Sequence, residues 1–254
     1  MGDEILYEVA DQVAVITLNR PDKRNALNAA MRQGLWDAWR RFERDASARV
    51  AILTGAGDKA FCAGIDLSEF AETKFGKPPA DFLPDLGRNI TITKPTIAAV
   101  RGVAYAGGFR LAQMCDLCVA GRSARFAITE ALVGRGAAWA APLVHLIPPR
   151  VLLELMLTAQ PISAQRAYEI GFVNHVVADD GVFAKAQELA RAIVAGAPLF
   201  GAAAKTMVQA ALGVSTDAGL RAADLIFDPV YNSADAREGP LAFHEKRKPN
   251  WLGR

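Results

Sequence analysis

The chain has 254 residues, 52% of them hydrophobic and 22% charged, so it can bury a full core and is not expected to be disordered. Its 29 basic residues nearly balance 27 acidic ones, and a net charge of +2 gives no field that would gather nucleic acid or an anionic membrane. No apolar run reaches the roughly 18 residues of a spanning helix, and the acidic start lacks the features of a secretion signal. We therefore expect a soluble protein of the cytoplasm.

The cysteine content argues against a disulfide framework. Three cysteines are an odd and small number, which indicates a reducing compartment. Cys115 and Cys118 form a C-x-x-C motif, but a structural zinc site needs a second pair of ligands, and Cys62 and the three histidines lack ligand spacing. We predict no metal site and interpret the thiols as core residues.

The first predicted element is an antiparallel hairpin. Residues 5–9 and 13–18 each alternate between apolar and polar positions, with two polar residues between the segments. A basic loop follows at 19–25, and Asn28 is placed to cap an amphipathic helix. The apolar face of this helix contains four residues at helical spacing: Met31, Leu35, Trp39 and Phe42.

Three short apolar segments, 50–53, 96–100 and 117–120, predict buried strands. Because they alternate with helical segments, an α/β core with crossover connections is expected. Beyond about residue 139 the pattern is mainly helical, with a long amphipathic stretch at 182–196.

Two glycine-rich turns follow the first two of these strands, at 61–66 and at 102–108. Parallel α/β folds place ligands beyond the carboxyl ends of their strands, so both turns are expected to converge on one pocket. The second turn opens a helix, whose N-terminus favours negative charge. For either turn alone, tight turning and close packing are the better explanation of its glycines.

Together these features resemble the crotonase superfamily, also called the enoyl-CoA hydratase/isomerase superfamily, over nearly the whole chain. The matching stretches are 18–21, 25–27, 61–66, 99–102, 107–108, 114–116, 126–130 and 163–164. The resemblance implies an α/β fold of the ClpP/crotonase type, with a spiral of β-β-α units over 1–195. It also implies a C-terminal helical layer at 196–254 for oligomerisation, in a homotrimer or a dimer of trimers.

The resemblance further implies a pocket for a coenzyme A thioester. By position, the backbone N–H groups of Ile65 and Gly107 are expected to bind the thioester oxygen as it becomes an enolate, which is the role of an oxyanion hole. The Ile65 side chain is incidental to this role, whereas the missing Cβ of Gly107 would allow close approach. No cofactor is implied, because coenzyme A is part of the substrate.

The same resemblance assigns eight residues to the CoA moiety: Lys23, Arg24, Ala26, Ala63, Asp66, Leu67, Phe243 and Lys246. The two cations of the basic loop suit the CoA phosphates, although a solvated loop explains each of them equally well. The last two residues lie in a C-terminal segment that in the family often acts across a subunit boundary.

The acid/base residues depart from the family pattern. Family hydratases usually use two glutamates; the later one is present as Glu130, but the earlier position is Arg110. Arginine cannot act as a general base at neutral pH, whereas Glu130 is suited to proton transfer beside an enolate. Arg110 could pair with Glu130, bind a carboxylate of the acyl group or point away. Trp139 either shapes the acyl pocket or belongs to the core.

The resemblance therefore implies an acyl-CoA enzyme that works through a thioester enolate, with a hydratase or dehydratase as the first interpretation. A double-bond isomerase with Glu130 as its only acid/base is the alternative, followed by a decarboxylase or a hydrolase. A non-catalytic or RNA-binding relative is the alternative of another class. The helix after Asn28 mixes four arginines with three acidic residues over 32–45, which is not the basic stripe of an RNA-binding face. We predict no nucleic-acid or membrane partner.

Overall fold

The computed structural model describes residues 4–72 and 76–254, which fold as a spiral whose strands enter two sheets. Six strands form the first sheet, in the spatial order β1 (Ile5–Ala10), β2 (Val13–Leu18), β3 (Val50–Gly55), β5 (Thr96–Val100), β7 (Leu117–Gly121) and β10 (His175–Val177). Four strands form the second sheet, in the order β4 (Ala60–Cys62), β6 (Val103–Tyr105), β8 (Arg125–Ala127) and β9 (Ile162–Ser163).

The pairing of the strands shows how the spiral is built. The β1–β2 hairpin is antiparallel as predicted, and the rest of the first sheet is parallel. The pairs β3/β4, β5/β6 and β7/β8 are each consecutive in the chain, so every turn of the spiral adds one strand to each sheet. In the second sheet Cys62 pairs with Ala104. Cys62 and Ala104 therefore lie side by side, and each is three residues before a proposed oxyanion residue.

Nine helices are present among the described residues: α1 (Ala29–Arg44), α2 (Leu67–Glu72), α3 (Gly107–Gln113), α4 (Pro149–Thr158), α5 (Ala164–Glu169), α6 (Val182–Ala195), α7 (Pro198–Ala211), α8 (Thr216–Tyr231) and α9 (Asp235–His244). Asn28 caps α1 as predicted, since its side chain accepts a hydrogen bond from the Met31 N–H at 2.9 Å. Helices α7 to α9 occupy the C-terminal region; its role in oligomerisation stays a prediction.

The core has two layers, one on each face of the first sheet. On β3, Ala51 and Leu53 face the large core shared with α1 and the second sheet. Val50 and Ile52 face the smaller core covered by α6. A strand buried on both faces reads as a continuous apolar run, which explains why β3 was predicted from its sequence.

The sequence predicts neither a metal site nor a membrane-spanning helix. Cys62 and Cys118 are buried, all three cysteines are free, and burial raises the pKa of Cys62 to about 12. Among the described residues, no group of three His, Cys, Asp or Glu side chains could hold a metal ion. Over the same residues no single helix is long and apolar enough to cross a membrane; the segments 179–195 and 198–211 meet that criterion only as a pair bent by 109°.

Candidate active site

The two glycine-rich turns lie against each other. A Cβ atom built on Gly107 would lie 3.5 Å from the Gly64 Cα, and one built on Gly64 would lie 3.5 Å from the Gly107 nitrogen. The segments 61–66 and 102–108 contain the end of β4 and the whole of β6, two neighbouring strands that are not predicted from the sequence, which places the turns directly after β3 and β5. The predicted convergence of the turns is therefore confirmed.

Two backbone N–H groups in these turns are open. Around Ile65, the Leu27 N–H donates to the Gly64 carbonyl at 2.8 Å and the Asp66 N–H donates to the Leu27 carbonyl at 3.2 Å. The Ile65 N–H lies between these bonds and donates to none of the described residues. Gly107 begins α3, and its N–H likewise has no acceptor in the described part of the chain. Two free donors in adjacent turns can bind one ligand oxygen.

Packing around the second turn requires a glycine more strictly at position 108 than at position 107. A Cβ on Gly108 would lie 2.1 Å from the Cys62 carbonyl oxygen, which is a severe clash. A Cβ on Gly107 would have its closest contact with the Leu27 side chain, at 3.2 Å, and ordinary contacts with the Gly64 backbone. The requirement at Gly108 comes from the packing of α3 against the end of β4. The close approach of a ligand to Gly107, expected from the sequence, stays a prediction.

Ala106 caps α3 in a conformation that is rare for a residue with a Cβ. Its φ is +48° and its ψ is −112°. The Ala106 N–H donates to the Ala127 carbonyl at 2.9 Å, and the Ala106 carbonyl accepts from the Arg110 N–H at 3.0 Å. These bonds hold a strained residue next to the Gly107 amide. Sequence reasoning missed this feature, although an alanine inside a glycine-rich turn was its visible signal.

Glu130 is a half-buried carboxyl group at the start of the 3₁₀ helix Glu130–Val133. Its Oε1 accepts a hydrogen bond from the Trp139 indole nitrogen at 2.6 Å. Its Oε2 is buried and has no partner among the described residues. Burial raises the pKa of Glu130 above its ordinary value of 4.5, and the Trp139 hydrogen bond opposes this shift. A carboxyl group with a raised pKa and one open oxygen is suited to giving and taking protons.

Arg110 pairs with Asp85 and not with Glu130. Its Nη2 lies 3.0 Å from the Asp85 Oδ2, and both side chains are mostly buried. The proposed Arg110–Glu130 ion pair is therefore wrong, because an acid from a distant loop takes the guanidinium. The buried Arg110 Nε has no partner in the described part of the chain. Binding of an acyl carboxylate by Arg110 stays a prediction.

Trp139 belongs both to the core and to the site. Its ring packs edge-to-face on Phe109 with 6.0 Å between centroids, while its indole N–H reaches Glu130. The Gln113 Nε2 donates to the Trp139 carbonyl at 3.1 Å. Six buried side-chain polar atoms have no partner among the described residues, and three of them lie in this region, on Arg110, Gln113 and Glu130. Buried polar atoms without a partner are rare in folded proteins, so three of them on α3 and Glu130 mark this region.

Comparison with known proteins decides the family. The family model described as enoyl-CoA hydratase/isomerase matches residues 8–254. The chain belongs to the enoyl-CoA hydratase/isomerase family. It is 39% identical to enoyl-CoA hydratase EchA19 of Mycobacterium tuberculosis, over 100% of this chain and 98% of the relative. It is also 39% identical to carnitinyl-CoA dehydratase of Proteus mirabilis, over 100% of both chains.

Solved structures agree with this family assignment. The fold superimposes on an enoyl-CoA hydratase from Mycobacterium tuberculosis with a TM-score of 0.90 at 39% identity, over 99% of both chains. An enoyl-CoA hydratase from Bacillus anthracis gives 0.91 at 32% identity, over 99% of this chain and 100% of that one. The crotonase resemblance and its α/β fold are confirmed, and the chain is an acyl-CoA enzyme of the hydratase and dehydratase type.

In this family member the basic loop is tied to the first glycine turn by Arg20. One Arg20 nitrogen donates to the Ala26 carbonyl at 2.6 Å and to the Asp66 carboxylate at 3.1 Å, and another pairs with Glu4 at 3.2 Å. Hydrogen bonds from Ser68 and then Arg20 lower the pKa of Asp66. Sequence reasoning placed Arg20 in the loop without this role, which depends on contacts 46 residues apart.

The predicted CoA-binding backbone is mostly occupied by internal bonds. The Ala26, Ala63 and Asp66 N–H groups donate to the carbonyls of Lys23, Arg24 and Leu27, respectively. These three N–H groups are therefore not free to bind CoA. The Lys23 and Arg24 side chains are exposed, and Leu67 is 55% exposed at the start of α2. The roles of these residues in binding stay predictions.

The C-terminal candidates lie on a different part of the subunit surface. Phe243 is 87% exposed near the end of α9, and Lys246 is exposed just beyond it. Helix α9 packs against α8. A large aromatic side chain presented to solvent is typical of a residue that contacts a ligand or a second subunit.

Proposed function

We propose that the enzyme adds water to 2-enoyl-CoA thioesters, and removes it from 3-hydroxyacyl-CoA thioesters, with Glu130 as its only carboxyl acid/base. One observation carries this proposal. Two open amides of adjacent turns, at Ile65 and Gly107, are combined with a half-buried carboxyl group that has one open oxygen. The names of the relatives, an enoyl-CoA hydratase and a carnitinyl-CoA dehydratase, support the same reaction class.

The two amides stabilise the charge that develops on the thioester. When water adds at C3, the C2–C3 electron pair moves toward the thioester oxygen, which becomes an enolate oxygen. Fixed N–H donors aimed at that oxygen are worth about two to three powers of ten in rate each. These donors belong to the backbone, so the Ile65 side chain takes no part.

Glu130 balances the protons of the reaction. Its ionised carboxylate takes a proton from water as the C3–O bond forms, and the protonated acid then gives that proton to C2. The net addition is one hydroxyl at C3 and one hydrogen at C2, and the carboxylate is regenerated. Dehydration follows the same steps in reverse. A raised pKa suits this cycle, because it brings the acid and base forms closer in free energy.

A double-bond isomerase is the second candidate, and Arg110 in the place of the earlier family glutamate favours it. A guanidinium cannot activate water as a base. A single carboxylate can still remove a proton from C2 of a 3-enoyl-CoA and return it at C4. The same amides would stabilise the dienolate formed between these two steps.

Substrate binding and assembly complete the proposal. The exposed cations Lys23 and Arg24 suit the CoA phosphates. In a homotrimer or a dimer of trimers, Phe243 and Lys246 would reach the nucleotide of a neighbouring subunit, which fits their exposure. The reaction as written needs no cofactor beyond coenzyme A itself. A location in the cytoplasm remains part of the proposal.

Turnover in deuterated water tests both candidates. Crotonyl-CoA is expected to give 3-hydroxybutyryl-CoA with one deuterium at C2, as read by mass spectrometry. Conversion of 3-butenoyl-CoA to crotonyl-CoA without any hydrated product would replace the hydratase by the isomerase. If a folded sample binds acyl-CoA but puts no deuterium into any acyl chain, enolate chemistry is excluded.

A further inference from the structure

We propose that Trp139 is a positioning residue for the acid/base group: its indole N–H holds the Glu130 Oε1, so that only the Oε2 exchanges protons with the substrate. The proposal rests on the proposed function of Glu130 and goes beyond it. It names the oxygen that reacts and the residue that selects it.

The contact itself separates the two carboxylate oxygens. The Trp139 nitrogen lies 2.6 Å from the Glu130 Oε1, and a hydrogen bond to an ionised carboxylate is stronger than one between neutral groups. An indole nitrogen only donates, so it cannot relay a proton to or from the carboxylate. The Oε2 is buried without a hydrogen-bond partner among the described residues, so it is the carboxylate oxygen left without a donor.

Trp139 is itself fixed by α3. The Gln113 side chain donates to its carbonyl at 3.1 Å, and its ring packs on Phe109 at an interplanar angle of 61°. Both partners lie on α3, which begins at Gly107. One short helix therefore holds an oxyanion amide directly and the acid/base carboxyl through Trp139. Such support limits the relative motion of the two groups, and a displacement of 1 Å can cost about a hundredfold in rate.

Among the groups around Glu130, the Trp139 indole opposes most strongly the effect of burial on the Glu130 pKa. On α4, Arg150 and Glu154 are exposed. On α3, Arg110 is bonded to Asp85, and Arg135 lies on the loop between Glu130 and Trp139. Burial is the largest cause of the raised pKa of Glu130, and the Trp139 hydrogen bond is the largest cause acting against it. Loss of the indole N–H is therefore expected to raise this pKa further.

Trp139→Phe tests the proposal in the intact enzyme, because phenylalanine keeps a packed ring and removes the donor. The kcat for crotonyl-CoA is expected to fall about tenfold to a hundredfold, the range for a lost hydrogen bond to a charged group, with little change in KM. The acid limb of the kcat/KM profile should move up by about one pH unit.

Trp36→Phe is the matched control, since the Trp36 indole also donates one hydrogen bond, at 2.9 Å, but to the Asp81 backbone carbonyl, which does not titrate. It should leave kcat and the acid limb unchanged. A Trp139→Phe enzyme with the wild-type acid limb overturns the proposal, and so does a shift of equal size in the control.

A spectroscopic test does not depend on turnover. The ¹⁵N–¹H indole signal of Trp139, identified by its loss in Trp139→Phe, should shift with pH as Glu130 titrates, and should stop titrating in Glu130→Gln. An indole signal that titrates identically in Glu130→Gln overturns the proposal. If the wild type turns over no acyl-CoA, the proposed function fails, while this titration still decides whether Trp139 holds Glu130.

Discussion

The two ends of the active site use different kinds of chemical group. At the oxyanion end, the working groups are the backbone amides of Ile65 and Gly107, placed by two turns of adjacent strands. At the acid/base end, the working groups are side chains. There Glu130 depends on Trp139, and Arg110 depends on Asp85.

This difference separates what each end tolerates. The oxyanion end is set by strand register and by backbone conformation, so most side-chain replacements at Ile65 leave its donor in place. At the acid/base end each polar group is held by another side chain, so replacing one residue changes the charge or the geometry of its neighbour. Substitutions at the oxyanion end should lower activity by distorting the backbone. Substitutions at the acid/base end should lower it by removing a proton acceptor or a charge.

Glu130→Gln should have the largest effect on turnover. The amide keeps the shape of the carboxyl group but cannot accept the proton, so kcat should fall by about a thousandfold while CoA-ester binding survives. Steady-state rates with crotonyl-CoA and calorimetry with the same ester check both parts. Glu154→Gln, on the exposed face of α4, is the control and should behave as wild type. An active Glu130→Gln enzyme would place the base elsewhere.

Gly108→Ala breaks the oxyanion end. The new Cβ would meet the Cys62 carbonyl oxygen at 2.1 Å, so α3 must shift. We expect kcat to fall about a hundredfold and the free energy of unfolding to fall by about 1–3 kcal/mol, as measured by kinetics and urea denaturation. Gly136→Ala is the control, because a Cβ there meets nothing within 4 Å. Equal behaviour of the two variants would show that the turn is not close-packed.

Arg110→Glu tests the role of the Arg110–Asp85 pair at the acid/base end. Alone, it would set a new carboxylate against Asp85 and lower both stability and turnover. The double variant Asp85→Asn with Arg110→Glu removes that repulsion and restores two carboxyl groups near the acyl end. It is expected to hydrate crotonyl-CoA about tenfold faster than Arg110→Glu alone. If the single and double variants have the same rate, the Arg110–Asp85 pair lies outside the chemistry.

Ala106→Gly should slightly raise the stability of the fold by relaxing the turn at the oxyanion end. Relief of the strain at φ +48°, about 1–3 kcal/mol, exceeds the entropy that glycine adds to the unfolded chain, about 0.4–1 kcal/mol. The expected gain is about 1 kcal/mol in the free energy of unfolding, with unchanged kcat. Ala30→Gly, at an exposed helical position, should instead lose about 1 kcal/mol. A loss at both positions would argue against strain at Ala106.

The pH dependence of stability gives the smallest effect. The pKa of Glu130 is raised on folding, so its stabilising contribution is complete below its ordinary value of 4.5 and is lost as pH rises through the folded-state pKa. At pH 7 the ionised group therefore costs stability that glutamine does not. Glu130→Gln should have a slightly higher Tm than the wild type at pH 7, and the gap should close below pH 4.5 in thermal scans. A gap that widens as pH falls would contradict the burial of this carboxyl.

The sequence predicts the long elements and misses the short ones for a physical reason. The hairpin, α1 and the strand β3 carry enough periodicity or apolar length to be seen locally. Strands β4, β6 and β8 have three residues each, too few to show a period, so the second sheet was not predicted.

The same reason applies to the site. The family pattern pointed to Glu130 by its place in the chain, but the Asp85 partner of Arg110 is 25 residues away. The Trp139–Glu130 hydrogen bond depends on how a 3₁₀ segment folds back on α3. Side-chain partners of this kind follow from tertiary packing and carry no local signal.

The register of the second sheet aligns the two turns that carry the proposed oxyanion donors. Cys62 lies beside Ala104, and the two donor residues each follow three positions later. Neighbouring strands are about 4.8 Å apart. If the turns keep that separation, two N–H donors that are each about 2.9 Å from one oxygen approach it at an angle of about 110°. An angle of that size is close to the lone-pair directions of a negatively charged oxygen, so turns that keep the interstrand spacing would bring the two donors near the geometry an enolate requires.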